Sequence, residues 1–234
     1  MLQIMNVTKS YDKKKNAIEN VDLTIEPGDL YGFVGPNGAG KTTLIKCIVG
    51  IINYDNGKIT LNGKTLLEDS ILFKSQIAYI PDHPDLYESL SGRQFIDFIA
   101  DAYRVSLERR NELTTLYAKE FEMEHALDLS ISTYSHGMKQ KIALMAALVH
   151  EPKLIILDEP FVGLDPKASY ILKQLFQKIT SEGVMILFSS HVLEVVEKLC
   201  TKIAIIKEGH IIADGKTNEV LKDRSLEKTF LELT

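Results

Sequence analysis

The stretch GPNGAGKTT at residues 35–43 constrains this chain more than any other. It fits GxxxxGKT, and its flanks suit it: the continuous apolar run LYGFVG precedes it and the helical pattern KTTLIKCIVGI begins inside it. A buried strand, a glycine-rich turn and a helix start must therefore follow one another, which calls for an α/β architecture. The chemistry of such a unit is specific. The backbone of Gly35, Pro36, Asn37, Gly38, Ala39 and Gly40 can close its N–H groups around phosphate oxygens, and the helix N-terminus adds partial positive charge. Lys41 is placed to reach the β- and γ-phosphates, the Thr42 hydroxyl to ligate Mg²⁺, and Thr43 to support the α-phosphate. These residues point to a nucleoside triphosphate site.

Around this unit the periodicity orders the chain. NVDLTIE alternates apolar and polar residues as a half-buried strand does. GKITLNGK, QIAYIP, KLIIL and VMILFSS read as further strands, and KIAIIKEGHIIADGK as two strands about a Glu-Gly turn. Residues 91–149 carry only helical patterns, with breaks near Val105 and Ser130. PKASYILKQLFQKI reads as a helix, and Val192, Val195, Val196 and Leu199 fall at i, i+3, i+4, i+7 of another. The expected organisation is an α/β core of residues 1–90 and 151–234, with a helical insertion over about 91–150.

Two further strand ends carry chemistry. LIILDEP delivers Asp158 and Glu159 at the C-terminal edge of a buried strand, where α/β folds hold ligands. Asp158 suits Mg²⁺, and Glu159 suits the orientation and polarisation of an attacking water. Alone, such a pair reads as readily as a strand with an acidic end; the phosphate loop upstream decides for function. FSSHV repeats the geometry with His191, which would stand where a γ-phosphate is contacted.

These motifs and their order resemble the nucleotide-binding subunit of an ABC transporter, nearly end to end. The resemblance makes residues 35–43 the Walker A loop, 154–159 Walker B, GLDP at 163–166 with Asp165 the D-loop, and His191 the switch histidine. Tyr11 resembles the aromatic residue on which adenine stacks. The implied fold is an ABC-type P-loop ATPase core with an N-terminal antiparallel β subdomain and an inserted α-helical subdomain, all one ABC ATPase domain. ATP and Mg²⁺ are the implied ligands. The implied mode of action is a sandwich in which two subunits hold two ATP molecules between Walker A of one and the signature of the other.

Two stretches compete for that signature: LSGRQ from Leu90 and YSHGM from Tyr134. In this family the signature starts the helix leading into the Walker B strand. One helix and a turn separate Ser135 from Asp158, whereas several helical segments separate Ser91 from it. The expected signature is therefore Ser135, His136, Gly137 and Met138, with Ser135 and the Gly137 amide facing a γ-phosphate. Ser91 and Gln94 instead form the spacing of a capping box. Two residues depart from the family pattern: His136 replaces a glycine, and Asp82 stands where glutamine is usual after the strand. A carboxylate at 82 still offers oxygen to Mg²⁺ but adds negative charge beside ATP.

Partners are bounded by composition. The formal net charge of −5 argues against a nucleic-acid partner, and the densest basic run, DKKKN at 12–16, reads as a solvated turn. Cys47 and Cys200 lack metal or redox spacing and read as buried thiols of a reducing compartment. Neither a signal peptide nor an apolar run long enough for a membrane span is visible. The expectation is a soluble, cytoplasmic chain, peripheral on the inner face of the membrane through a separate permease, and paired with itself or a similar ATPase. YSHGMKQK, YIPD and the closing FLELT resemble bacterial export-type ATPases, including antibiotic, peptide and Ecs-type members. An importer ATPase and a soluble ABC ATPase acting on ribosomes or DNA are the alternatives.

Overall fold

Strict alternation along fully buried strands divides the core in two. In the computed structural model, which describes residues 1–12, 15–222 and 224–233, every residue of β3 (Leu30–Val34), β7 (Leu154–Asp158) and β8 (Met185–Ser190) is buried. Leu30, Val34, Ile155, Leu157, Ile186 and Phe188 face one apolar cluster; Tyr31, Phe33, Leu154, Ile156, Met185 and Leu187 face the other. A sheet covered on both faces is what continuous Val/Ile/Leu runs dictate. Lys13 and Lys14 of the basic run, and Thr234 of the closing stretch, lie outside the described residues.

The antiparallel layer comprises β1 (Leu2–Ser10), β2 (Asn16–Ile25), β4 (Asn56–Leu61) and β5 (Lys64–Thr65), in the order β2-β1-β4-β5. Its apolar face, Leu2, Ile4, Val21, Leu23 and Ile59, joins α1 (Lys41–Ile48) over the second cluster. Short α2 (Ser70–Ser75), capped by Asp69, leads into β6 (Ile77–Ile80).

The second sheet runs β10-β9-β3-β8-β7-β6. Its strands are parallel except at the β9 (Lys202–Lys207) and β10 (His210–Lys216) hairpin. That hairpin turns at Glu208 and Gly209, both at positive φ as a type I′ turn requires. Between β6 and β7 lie α3 (Gly92–Ala102), α4 (Leu107–Glu120), a 3₁₀ turn at Ile131–Thr133 and α5 (His136–Leu148). Their inward residues, including Phe95, Ile96, Phe121, Ile131, Ile142 and Met145, continue the first cluster, which α6 (Pro166–Ser181) and α7 (Leu193–Leu199) also cover. The chain ends in α8 (Thr217–Leu221) and α9 (Leu226–Leu233).

Sheet order positions the site. Adjacent strands β3, β8 and β7 are parallel, so their C-terminal ends share one edge. The phosphate loop, Asp158–Glu159 and His191 follow those three ends.

Candidate functional site

The phosphate loop is held tightly on one side and open on the other. Gly40 is the N-cap of α1, at φ +111°, where an L side chain is strained; its place is further fixed by the Ala17 carbonyl 2.5 Å from where a Cβ would stand. Because Gly40 brings no capping side chain, the first amides of α1 are left to the cavity in front of them. Lys41 is almost wholly buried, and its ammonium folds back on the loop, donating to the carbonyls of Gly35 (2.5 Å) and Pro36 (3.2 Å). Burial lowers the Lys41 pKa, against the upward pull of Glu159 and Asp158. The Thr42 hydroxyl donates to Asp158 Oδ2 at 3.0 Å. The other Asp158 oxygen accepts the Ser189 hydroxyl from the neighbouring strand. A cavity of about 300 Å³, lined by residues Asn37 to Thr43, Ala17, Asp82, Asp158 and Glu159, opens before the loop.

Glu159 follows its strand in the left-handed region, φ +52°, which costs a non-glycine residue on the order of 1 kcal/mol. The β7–β8 register imposes this: Asp158 pairs with Ser189, and the Glu159 amide donates to the Ser189 carbonyl and hydroxyl, both at 3.2 Å. The carboxylate then accepts the His191 amide at 3.2 Å and sits 3.0 Å from His191 Nδ1. His191 is 62% exposed where Glu159 is 16% exposed, so one member of the pair is fixed and the other is free to turn. They share a second cavity of about 470 Å³ with Gly35–Asn37, Asp82, Val162, Leu193 and Phe230. Tyr11 stands at a third, about 560 Å³, across the loop, with its hydroxyl 3.3 Å from that of Thr43. One cleft thus brings together Tyr11, the loop, Asp82, Asp158, Glu159 and His191.

The two serine-glycine stretches differ in what their helix amides do. At α3, Ser91 and Gln94 make a complete capping box. The Gly92 and Arg93 amides are taken by the carbonyls of Leu129 (3.3 Å) and Leu127 (2.8 Å). Gly92 is buried beneath the Tyr134 hydroxyl, which donates to the Ala126 carbonyl at 2.6 Å. No ligand can approach it. At α5, Ser135 caps the Met138 amide at 3.3 Å and is itself exposed. Among the described residues, and apart from its chain neighbours and its own helix backbone, no atom stands within 4 Å of a Cβ placed on Gly137. Met138 is half buried against the core. The His136 ring lies over Gly163, where a Cβ would be 2.9 Å from Cδ2. Asp165 caps α6 through the amides of Lys167 (2.8 Å) and Ala168 (2.9 Å), and those bonds hold its carboxyl below the ordinary range. Ser135 and Asp165 lie outside the cavities that hold the phosphate loop.

The profile described as ABC transporter matches residues 18–162. The ABC-type transporter ATP-binding protein EcsA of Bacillus subtilis is 38% identical over all of this chain and 96% of its own length. The linearmycin resistance ATP-binding protein LnrL of the same organism is 34% identical over all of this chain and 75% of its own. Among solved structures, an ATP binding subunit of an ABC transporter superposes with a TM-score of 0.95 at 32% identity, covering 100% of this chain and 99% of that one.

The chain belongs to the ABC transporter ATP-binding family. It is the ATP-hydrolysing subunit of an ABC transporter. Within this ABC ATPase, two polar side chains carry more of the geometry than sequence reasoning assigned them. Ser189 ties Asp158 and Glu159 to β8, though FSSH reads only as the end of a strand. Gln140, inside α5, is buried and donates to the Pro160 carbonyl at 2.5 Å, joining α5 to the turn after Glu159. The basic continuation GMKQK was its only signal in sequence.

Proposed function

We propose that this ABC subunit binds Mg²⁺-ATP in the cleft from Tyr11 to His191, and that two cassettes close on ATP to drive export through a separate permease. The observation that carries the hydrolytic part is the meeting of the Thr42–Asp158 pair and the Glu159–His191 pair at one loop. Tyr11 takes the adenine side, amides of residues 37–43 take the phosphates, and Lys41 exchanges its loop carbonyls for phosphate oxygens. The Thr42 hydroxyl and Asp158, with Asp82 on the same cavity, form an all-oxygen donor set that suits a hard cation. When bound there, Mg²⁺ would neutralise negative charge on the phosphates. Glu159 orients the attacking water and accepts its proton; His191 turns from Glu159 toward the γ-phosphate.

The outward face of the signature supports closure by two cassettes. Ser135 and the unblocked Gly137 lie apart from the chain's own phosphate cavities, so they suit an ATP held by another subunit. Asp165 belongs to the same face. An apolar groove supports the permease. About 310 Å³ in volume, it lies between the residues after β6 and helices α3 and α5, lined by Leu86, Phe95, Ile99, Tyr103, Ala143 and Ala147. Tyr87 and Phe98 beside it are about half exposed. The small side chains of α5 leave room for a partner helix. The likeness to a linearmycin resistance protein favours export. The location that follows is the cytoplasmic face of the cell membrane, through the permease.

Affinity purification of the full chain from solubilised membranes tests this reading. A co-purifying integral membrane protein that stimulates ATP hydrolysis is the expected result, with hydrolysis lost on Mg²⁺ chelation. Recovery with ribosomes or DNA and no membrane protein would refute the transport role.

A further inference from the structure

The last helix of the chain reaches the hydrolytic cavity. Leu226 at its start is fully buried, and its amide donates to Glu197 of α7 at 2.7 Å. Phe230 stands four residues on, hence on the same face of α9. It packs against the core and lines the 470 Å³ cavity that holds Glu159 and His191. Leu193, the first residue of α7, lines the same cavity. The segment that carries His191 is held by local bonds, the His191 amide to Glu159 (3.2 Å) and the Val192 amide to the Ser190 hydroxyl (3.0 Å), but Val192 supplies no side-chain cap to α7 and the histidine ring is mostly exposed. α9 leans on α7 along this side.

We propose that Phe230 is a positioning residue for hydrolysis: with Leu193 it forms the apolar wall of the γ-phosphate side and fixes the start of α7, and so the reach of His191. This rests on the reading of Glu159 and His191 as the hydrolytic pair. An apolar wall there also limits the water near Glu159 to what the polar side of the cavity admits. The C-terminal helix thereby becomes part of the site, although no phosphate-binding residue lies on it.

The experiment uses the full chain and the variants Phe230→Ala, Phe230→Leu, Lys228→Ala, His191→Ala and the Phe230→Ala/His191→Ala double variant. ATP turnover, KM for ATP, thermal unfolding and histidine-ring NMR signals are measured for each. Phe230→Ala is expected to lower kcat at least about fivefold while KM stays within about twofold, because misplacing a group is costly in rate and not in ground-state binding. Phe230→Leu keeps the wall and recovers at least about half the parental rate; Lys228→Ala, on the exposed side, changes nothing. In the double variant the Phe230 effect shrinks below about twofold, as residues acting through one another are non-additive. The His191 ring signal moves in Phe230→Ala, while the other five histidines hold theirs. Phe230→Val carries the same readouts should the alanine variant not fold. A parental rate or an unmoved His191 signal in these truncations, or full multiplication of effects in the double variant, overturns the proposal. Loss of turnover in His191→Ala with none in Phe230→Ala sinks only this inference. A parental rate in His191→Ala sinks the underlying reading with it.

Discussion

Two glycines, each in the first turn of a serine-capped helix, are expected to respond to alanine in opposite ways. At Gly92 the new Cβ would meet the Tyr134 hydroxyl inside contact distance and Ile142 Cδ1 at 3.0 Å. Overpacking of this kind costs about 1–3 kcal/mol. Displacing the Tyr134 hydroxyl from the Ala126 carbonyl adds about 1–3 kcal/mol for a buried group left unpaired. The two share one displacement, so about 2–4 kcal/mol is the expected loss, or a Tm lower by about 4–16 °C for a chain of this size. At Gly137 the Cβ meets nothing within 4 Å, and the residue is the second of α5. Restricting the unfolded chain there should stabilise by about 0.4–1 kcal/mol and raise Tm by about 1–4 °C. Function should run the other way. Gly92→Ala, assayed well below its Tm, should retain ATP turnover and ATP-driven dimerisation. Gly137→Ala places a methyl where the opposing γ-phosphate must approach the amide, and should lose both. Thermal unfolding, ATP hydrolysis and light scattering in ATP, the last in a Glu159→Gln background, read all of this. If Gly92→Ala is stable but cannot dimerise, while Gly137→Ala turns over normally, LSGRQ is the signature and the assignment is reversed.

Glu159→Gln should keep ATP binding and lower turnover by about 10²–10⁴-fold, since the amide cannot accept the proton; turnover near the parental rate would remove Glu159 from the chemistry. Lys41→Ala should weaken ATP binding in a direct titration with Mg²⁺ present, because it removes the one side-chain cation the loop supplies; unchanged affinity would contradict the phosphate-loop assignment. Asp82→Gln should leave hydrolysis modestly changed and shift the Mg²⁺ requirement, and complete loss in a folded variant would show a role glutamine cannot fill. His150, stacked on Tyr103 at 3.7 Å, has its pKa lowered by burial to about 4 from an ordinary 6.5. The unfolded chain therefore takes up this proton first as pH falls, and the linked stability, on the order of 1–3 kcal/mol, should be lost between about pH 6.5 and 4. His150→Phe keeps the stacking and should flatten that decline in denaturant titrations; an unchanged slope would assign the acid lability elsewhere.

How much of this was legible in the chain depended on whether the causes were local. β3, β7 and β8 announced themselves because a strand buried on both faces must be apolar throughout. β1 did not, although Leu2, Ile4 and Val7 are all buried. Asn6 at φ +52° interrupts the strand with a register shift between Ile4 and Val7, so the apolar residues drop out of period two. α9 went unread because only Leu226 and Thr229 are buried in it, too few positions to show a helical period. The phosphate loop and the acidic strand end were legible as motifs, since each gathers its chemistry within a few consecutive residues.

What the motifs could not give is the bond pattern that makes them one site. Asp158 is oriented by Ser189, its partner in the β7–β8 register, and by Thr42, which lies on a helix formed 116 residues earlier in the chain. Glu159 is turned toward His191 by the same register, at the cost of a left-handed backbone. The same holds between the two serine-glycine stretches. Their helix starts are alike in sequence, each with a serine cap. They part because carbonyls of Leu127 and Leu129 fold back over the α3 amides, whereas among the described residues beyond its own helix no atom crowds the Cβ position of Gly137. An amide that the protein already satisfies has no hydrogen bond left for a phosphate, so what separates the closed helix start from the open one here is the path of the residues after α4, outside either stretch.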